Sequence, residues 1–182
     1  MLYELFFTSL IGASWGAFFF LNELTQHGNR PGRPPCGPID KDWFVVFYIN
    51  GAAFFGLLWA LNTPSGATAL LGIHIFRRLV ESSIYSYNHT STMSLPHLVT
   101  GLVYYPLILC RSVDKSAAHV PLFVLGTLAQ TVLHYLLFAK RRPVRHLHYL
   151  AELLIHSSIS LDALNISWIV TFSLINILNR RR

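Results

Sequence analysis

The sequence predicts an all-α fold, a polytopic membrane helical bundle of six to seven transmembrane helices that forms one domain over residues 1–182. Of the 182 residues, 53% are hydrophobic and only 12% are charged, and the mean hydropathy is +0.45. A soluble domain carries about 25% charged residues, so this composition is too apolar for one. The second observation is that long apolar runs alternate with short polar or Pro/Gly-rich stretches, which is typical of consecutive membrane spans.

The first half of the chain holds four predicted spans. The first ends at Asn22 and Glu23, and its small residues Gly12, Ser14 and Gly16 predict a face that another helix approaches. Residues 26–42 contain four prolines and three glycines, which forbid a regular helix, so they form a loop. Trp43 opens the second span as an interfacial aromatic residue. The four predicted spans are Leu2–Leu24, Trp43–Leu61, Ala67–Tyr87 and Leu98–Cys110.

The second half holds three more predicted spans. The fifth, Val120–Ala139, contains Gly126 and carries two polar residues in its second half, Gln130 and His134. Asp162 and an asparagine three residues later divide the last apolar stretch into a short sixth span, His148–Ser160, and a seventh, Leu164–Leu178. Six spans result if the short sixth segment is re-entrant.

The distribution of basic residues predicts the orientation. Lys and Arg follow the first and fifth spans and end the chain, whereas the opposite loops hold little beyond Arg111 and Lys115. The positive-inside rule then places the C-terminus in the cytosol and the N-terminus in the lumen. The net charge is +6, and its clustering at span ends indicates contact with anionic membrane lipids and no nucleic-acid partner.

A polar stripe on the third span is the first candidate site. His74, Arg78, Glu81 and Tyr85 are spaced so that they share one face of a helix, with Arg77 at its edge. A charged side chain at the bilayer centre costs about 2.5–3.5 kcal/mol, so the stripe is expected to face other helices or a wet cavity. It is either a helix end with an Arg77–Glu81 pair or the wall of a polar site that binds an anion.

A second polar row lies on the sixth span. His148, Glu152 and His156 step by four residues, with Tyr149 beside the first of them. This spacing lets Glu152 and one histidine bind a metal from one helix. A zinc site normally needs a third protein ligand and the sequence points to none, so we expect no metal. A structural His–Glu–Tyr network and a ligand-binding wall remain the two interpretations.

Three segments carry a family resemblance and occur in the family's order. They are HIFRRLVESSIYSY at 74–87, GLVYYPL at 101–107 and HYLAELLIH at 148–156. Together they resemble the steroid 5α-reductase family, and within it the polyprenol (polyprenal) reductase branch. The segment DWFVVFYI at 42–49 is also similar to that branch, and the resemblance extends over about residues 26 to 178.

The resemblance implies a multi-pass protein of the endoplasmic reticulum membrane. Such enzymes use NADPH to reduce the α-isoprene double bond of polyprenol or polyprenal in dolichol biosynthesis, which supplies the lipid precursor of protein N-glycosylation. A long-chain polyprenoid substrate would lie among the aromatic and aliphatic faces of the first four spans. By resemblance, the cofactor contacts are His148, Tyr149 and Glu152, and the phosphate contacts are Arg77, Arg78 and Arg141.

The chemistry of this reduction also points to specific side chains. Hydride does not add to an isolated alkene, so the site must draw electrons out through a conjugated carbonyl oxygen, where a hydrogen-bond donor stabilises the developing charge. A tyrosine or a protonated glutamate in a dry cavity can donate in this way. Glu81 and Tyr85 are therefore the candidate catalytic residues, and an aldehyde is favoured over an alcohol as the substrate.

Two departures from the family pattern leave alternatives open. The stretch near 140–147 is shorter than the family's cofactor loop, and the family's C-terminal segment is absent after Asn179. One alternative is a non-catalytic, reductase-derived membrane protein that binds lipid. The other is a membrane methyltransferase that uses S-adenosylmethionine, because RHLHY at 145–149 loosely resembles the Arg-His-Pro-x-Tyr segment of those enzymes but lacks the proline.

Overall fold

The computed structural model describes residues 1–21, 39–61, 64–85, 92–115, 119–140, 144, 146–159 and 162–179. Within these ranges the chain forms seven α-helices, so the predicted all-α class is confirmed. A 3-10 turn at Lys41–Trp43 precedes the second helix, and a π turn at Tyr135–Ala139 follows the fifth. The helices are α1 (Leu2–Phe20), α2 (Phe44–Leu61), α3 (Gly66–Ile84), α4 (Leu95–Ser112), α5 (Val120–His134), α6 (Leu147–Ile159) and α7 (Ala163–Asn179).

Three helical stretches in the described ranges are long and apolar enough to cross a membrane. They are Leu2–Phe20, Lys41–Leu61 and Val120–Ala139. In contrast, α6 has 13 residues, which is about 20 Å at 1.5 Å per residue and falls short of the hydrocarbon core of about 30 Å. The helices thus support association with a membrane through three apolar segments.

Helix α4 runs through a proline because a neighbouring helix compensates for it. Pro106 lies inside α4 and has no N–H to offer the carbonyl of Leu102, four residues earlier. Asn50 of α2 donates its Nδ2–H to that carbonyl at 2.8 Å. The helix therefore remains continuous from Leu95, three residues before the predicted start of the fourth span.

Contacts between the connecting segments show that successive helices run in alternating directions. Ile39–Asp40 pairs with Thr92–Met93 in a two-stranded antiparallel ladder, which joins the α1–α2 and α3–α4 connections at one end of the bundle. At the opposite end, Ser65 before α3 donates its hydroxyl to the carbonyl of Ser112 at 2.7 Å. The ladder was not predicted, because residues 26–42 were expected to form a loop throughout.

The packing of α5 against α6 depends on a glycine. A Cβ added at Gly126 of α5 would lie 3.0 Å from Cγ1 and 3.2 Å from the backbone nitrogen of Ile155 in α6. Ile155 is fully buried, so it has little room to move. We expect Gly126→Ala to destabilise the protein by about 1–3 kcal/mol, which thermal unfolding in detergent would measure.

The predicted small face of α1 supplies the control. A Cβ at Gly12 or Gly16 would meet no atom within 4 Å in the described part of the chain. Among the described residues, no helix therefore packs against Gly12 or Gly16, and the prediction is wrong for that part of the chain. Gly16→Ala is expected to raise the unfolding midpoint slightly, because alanine favours a helix over glycine by about 1 kcal/mol. Equal losses in Gly126→Ala and Gly16→Ala would contradict the steric argument.

Candidate functional site

The polar stripe of α3 faces the interior of the bundle, as predicted. Ser65 caps the helix by accepting the backbone N–H of Thr68 at 3.2 Å, and α3 then continues to Ile84. His74, Arg78 and Glu81 are 0%, 9% and 8% exposed, respectively. The stripe is therefore directed toward other helices and away from lipid.

Tyr85 lies at the very end of α3, which corrects the predicted length of this segment. Helix α3 ends at Ile84 instead of continuing to residue 87, and Tyr85 has extended backbone angles of φ −94° and ψ 113°. Its backbone N–H still donates to the carbonyl of Glu81 at 2.9 Å, so it lies one turn beyond Glu81. Its ring stacks on Phe138, beside the π turn that follows α5, with a centroid separation of 6.0 Å.

Glu81 is the centre of a buried charged cluster. Its Oε2 accepts a hydrogen bond of 2.6 Å from Arg78 Nη1, and its Oε1 forms an ion pair with Arg77. His134 of α5 places Nδ1 2.7 Å from Oε2. A carboxylate between two guanidinium groups is ionised and acts as acceptor only. The same Nδ1 of His134 also lies 2.8 Å from Nη1 of Arg78, so it contacts both members of the Arg78–Glu81 pair. The Arg77–Glu81 pair of the first interpretation is present, but it lies in the interior.

Tyr48 of α2 extends this cluster. Its hydroxyl oxygen accepts from Arg78 Nε at 3.1 Å and from Nη2 at 2.9 Å, and the guanidinium lies 5.0 Å from the centre of the phenol ring. The tyrosine is buried. Because both of these bonds use the oxygen as acceptor, the hydroxyl hydrogen of Tyr48 remains available for donation.

A glutamine joins the two predicted polar rows. Arg77 donates from Nη2 to Gln130 Oε1, and Gln130 donates from Nε2 to Glu152 Oε2. Gln130 is buried in α5. The rows on α3 and α6 therefore meet in the interior through α5, and Glu81 and Glu152 belong to one continuous polar network.

The other oxygen of Glu152 faces two histidines. Oε1 lies 3.6 Å from His74 Nε2 and 3.4 Å from His156 Nε2, and the three potential ligand atoms all lie within 4.8 Å of one another. This corrects the sequence analysis, which found no third ligand to accompany a pair on the sixth span. His74 supplies it from α3, 78 residues away from Glu152 along the chain.

The remaining predicted residues lie at the start of α6 or outside the described ranges. The rings of His148 and Tyr149 are 4.1 Å apart, and the His148 ring is 6.5 Å from that of His134. His148 and Tyr149 are half-buried and border the charged cluster at this end of the bundle. Arg141, the third predicted phosphate contact, lies outside the described residues.

Three residues of the network were not predicted as site residues. Gln130 and His134 carried a signal, because two polar side chains four residues apart in an otherwise apolar span are unusual. Tyr48 carried none, because it is one of several aromatic residues in a continuous apolar run.

Asp162 anchors the opposite end of the bundle. Its Oδ1 accepts a 2.8 Å hydrogen bond from Tyr3 and a 3.2 Å bond from the backbone N–H of Asn165, which caps α7. Its Oδ2 lies 3.3 Å from Lys115 Nζ. A small cleft of about 20 Å³ opens here, lined by Tyr3, Asp162, Asn165 and His156, so it reaches one of the two histidines beside Glu152.

Asp162 is expected to make the stability of the folded protein depend on pH. Burial raises the pKa of its carboxyl, but the hydrogen bonds from Tyr3 and Asn165 and the charge of Lys115 together hold that pKa below its usual value. A carboxyl group whose pKa is lower in the folded than in the unfolded state stabilises the fold when it is ionised. This stabilisation is fully present above the unfolded-state pKa of about 3.9, and it is lost as the pH falls through the folded-state pKa.

The matched variant is Asp162→Asn. We expect it to unfold at a lower temperature than the unmodified protein at pH 7, by the equivalent of about 1 kcal/mol. The difference in unfolding temperature between the two proteins should become smaller as the pH falls below about 4. Thermal unfolding in detergent at both pH values measures this, and a difference that widens in acid would contradict the assignment.

Comparison with protein-family models, with curated proteins and with solved structures finds no match to this chain. The fold and the site by themselves define a class. This is a helical protein whose described residues include three segments able to cross a membrane and a buried network of ionisable side chains shared by α2, α3, α5 and α6.

Proposed function

We propose that this protein is an NADPH-dependent reductase of the α-isoprene double bond of polyprenol or polyprenal in the endoplasmic reticulum membrane. One observation carries the proposal: the ionisable rows of α3 and α6 meet in the bundle interior through Gln130. Ionisable groups inside a membrane protein are costly and generally serve function. The resemblance of residues 74–87 and 148–156 to the steroid 5α-reductase family specifies the reaction.

The arginines of α3 are proposed to bind the cofactor phosphates. Arg77 and Arg78 are held together by Glu81, and guanidinium groups suit the geometry of phosphate oxygens. Binding would replace part of the Glu81 contact by phosphate. By the resemblance, Arg141 would add a third phosphate contact, and His148, Tyr149 and Glu152 would line the remainder of the cofactor site.

Tyr48 joins Glu81 and Tyr85 as a candidate catalytic residue. When bound, NADPH would supply hydride to the β-carbon of the conjugated aldehyde. Negative charge then develops on the carbonyl oxygen, where a preorganised donor is needed. An ionised Glu81 accepts hydrogen bonds, whereas Tyr48 has a hydrogen to donate beside the positive charge of Arg78. A proton from solvent would then add to the α-carbon, so that one hydride and one proton together saturate the double bond.

We propose that the chain crosses the membrane six or seven times with its C-terminus in the cytosol. The alternating helix directions support an odd number of segments with the termini at opposite ends. The ladder between Ile39–Asp40 and Thr92–Met93 supports placing the first and third connections on one side, as the loop charges predict. The short α6 is the segment that distinguishes six crossings from seven.

A lipid analysis tests the proposed reaction. Cells that lack the protein should accumulate polyprenoids whose α-isoprene unit is unsaturated, and expression of the unmodified chain should restore the saturated lipid. Purified protein should consume NADPH when given polyprenal. A normal lipid profile in the deletion strain, together with no NADPH consumption, would refute the reductase assignment.

A second candidate, a non-catalytic lipid-binding protein, is favoured by one observation. Glu81 already forms ion pairs with both Arg77 and Arg78, so both predicted phosphate contacts are occupied within the chain. Thermal stabilisation by NADPH separates the two candidates, because a reductase must bind the cofactor and a lipid-binding protein need not. Stabilisation by S-adenosylmethionine instead would favour the methyltransferase alternative.

A further inference from the structure

Three side chains converge beside Gln130. His74 extends from α3, and Glu152 and His156 extend from α6 one turn apart. The His74 and His156 side chains are 0% and 2% exposed. Their Nε2 atoms are buried, and neither has a hydrogen-bond partner among the described residues. A buried ring nitrogen without a partner loses its hydration without compensation, so this arrangement requires an explanation.

The distances fit ligands of one metal ion better than hydrogen-bonded neighbours. Glu152 Oε1 lies 3.6 Å from one Nε2 and 3.4 Å from the other, beyond the usual N–H···O range of about 2.7–3.2 Å. In a tetrahedral site with bonds of about 2.0–2.1 Å, neighbouring ligand atoms are about 3.3–3.4 Å apart. The 3.4 Å separation from His156 equals that edge length, and the 3.6 Å separation from His74 exceeds it by about 0.2 Å.

The surroundings provide an entry path and a partner for one histidine. The cleft near Asp162 is lined by His156, which gives an ion a path to the site. His156 Nδ1 lies 3.1 Å from the side-chain amide of Asn165. With the amide oxygen turned toward it, Asn165 would accept the Nδ1–H and leave Nε2 free to ligate, and its amide nitrogen would then face Tyr104. Metal-bound histidines normally have such a partner.

Arg77 is the neighbouring group whose contact with His74 opposes metal binding. Its Nη2 lies 3.3 Å from His74 Nδ1, and a guanidinium can only donate, whereas ligation through Nε2 requires a hydrogen at Nδ1. Metal loading should therefore draw Arg77 away from His74 and toward Glu81, with which it already forms an ion pair.

We propose that His74, Glu152 and His156 bind one divalent cation of the Zn²⁺ class and so connect α3 to α6, with the fourth coordination position directed toward the cleft. Two imidazoles and one carboxylate are a donor set that Zn²⁺ accepts. The site goes beyond the proposed reductase function. It uses Oε1 of Glu152, whereas Gln130 uses Oε2.

The test is metal loading of the full chain. The protein is purified in detergent, stripped with a chelator, reloaded with Zn²⁺ or Co²⁺, and its metal content is measured by mass spectrometry. We expect about one ion per chain, with the visible absorption of tetrahedral Co²⁺. His156→Gln and Glu152→Gln should each retain less than about one-tenth of this content. His156→Cys should retain the ion and add a thiolate-to-Co²⁺ absorption band.

The control is His119→Ala, which removes an exposed histidine before α5 and should load like the unmodified protein. Gel filtration and circular dichroism identify any variant that has not folded. Unmodified protein that loads less than about one-tenth of an ion per chain, or equal losses in His119→Ala and folded His156→Gln, would overturn the proposal. Metal loading is measured without NADPH or lipid. A protein that fails to bind metal therefore says nothing against the reductase assignment, and the two proposals are tested separately.

Discussion

Replacing Glu81 by glutamine is expected to destabilise the protein by about 3–5 kcal/mol, because it leaves two buried guanidinium groups without their shared counter-ion. Arg78 contacts Glu81 at 2.6 Å, and its side chain is only 11% exposed. Glutamine keeps the size of the side chain but removes its charge. For a chain of this length the change corresponds to a fall of about 6–20 °C in the unfolding midpoint. Thermal unfolding in detergent measures it.

Glu4→Gln is the matched control. Glu4 is an exposed carboxylate in α1 that pairs with the N-terminal amine, and an exposed pair contributes little to stability. No measurable change in midpoint is expected for this variant. The double variant Arg77→Gln/Glu81→Gln should recover part of the loss, because it leaves one unpaired guanidinium instead of two. Equal midpoints for Glu81→Gln and Glu4→Gln would contradict the role of Glu81 as the central counter-ion.

Replacing Tyr48 by phenylalanine is expected to lower kcat for polyprenal reduction by about 10²–10⁴-fold, the range typical of losing a positioned proton donor. This prediction depends on the proposed function. The ring and its packing against Arg78 are retained, so the KM for NADPH should change little. Steady-state kinetics with purified protein, together with NADPH binding by thermal shift, separate the two parameters.

Tyr105→Phe is the control for Tyr48→Phe. Tyr105 lies in α4 with its ring 5.4 Å from that of Tyr48, and both tyrosines are buried. Arg78 donates to the oxygen of Tyr48, so loss of the Tyr105 hydroxyl should leave kcat nearly unchanged. A Tyr48→Phe enzyme with normal kcat would exclude Tyr48 as a donor and return that role to Tyr85 or Glu81.

The helices were predictable because each depends on a local property of the chain. Apolar runs bounded by Pro, Gly and polar residues predicted all seven segments, with errors of a few residues at several ends. The burial of His74, Arg78 and Glu81 followed from their helical spacing and from the cost of placing charge in lipid. The main local error was the end of α3. The periodic pattern extended the helix past Tyr85, whereas the helix ends one residue before it.

The partners within the site were not predictable in this way. Whether α5 turns Gln130 toward both Arg77 and Glu152 depends on helix rotation and crossing, which depend on close contacts such as Gly126 against Ile155. The same packing brings His74 beside Glu152 and His156. These contacts join residues that are distant along the chain, and no local pattern specifies them.

The sequence by itself determined that the protein is helical, strongly apolar and supplied with two rows of ionisable side chains, because hydropathy and periodicity act over a few helical turns. Tertiary structure alone decided that His134 joins Glu81, that Tyr48 rests on Arg78 and that His74 completes a group of three potential ligands. The physical reason is that such pairings are set by how whole helices pack, where differences of about one ångström decide which polar atoms meet.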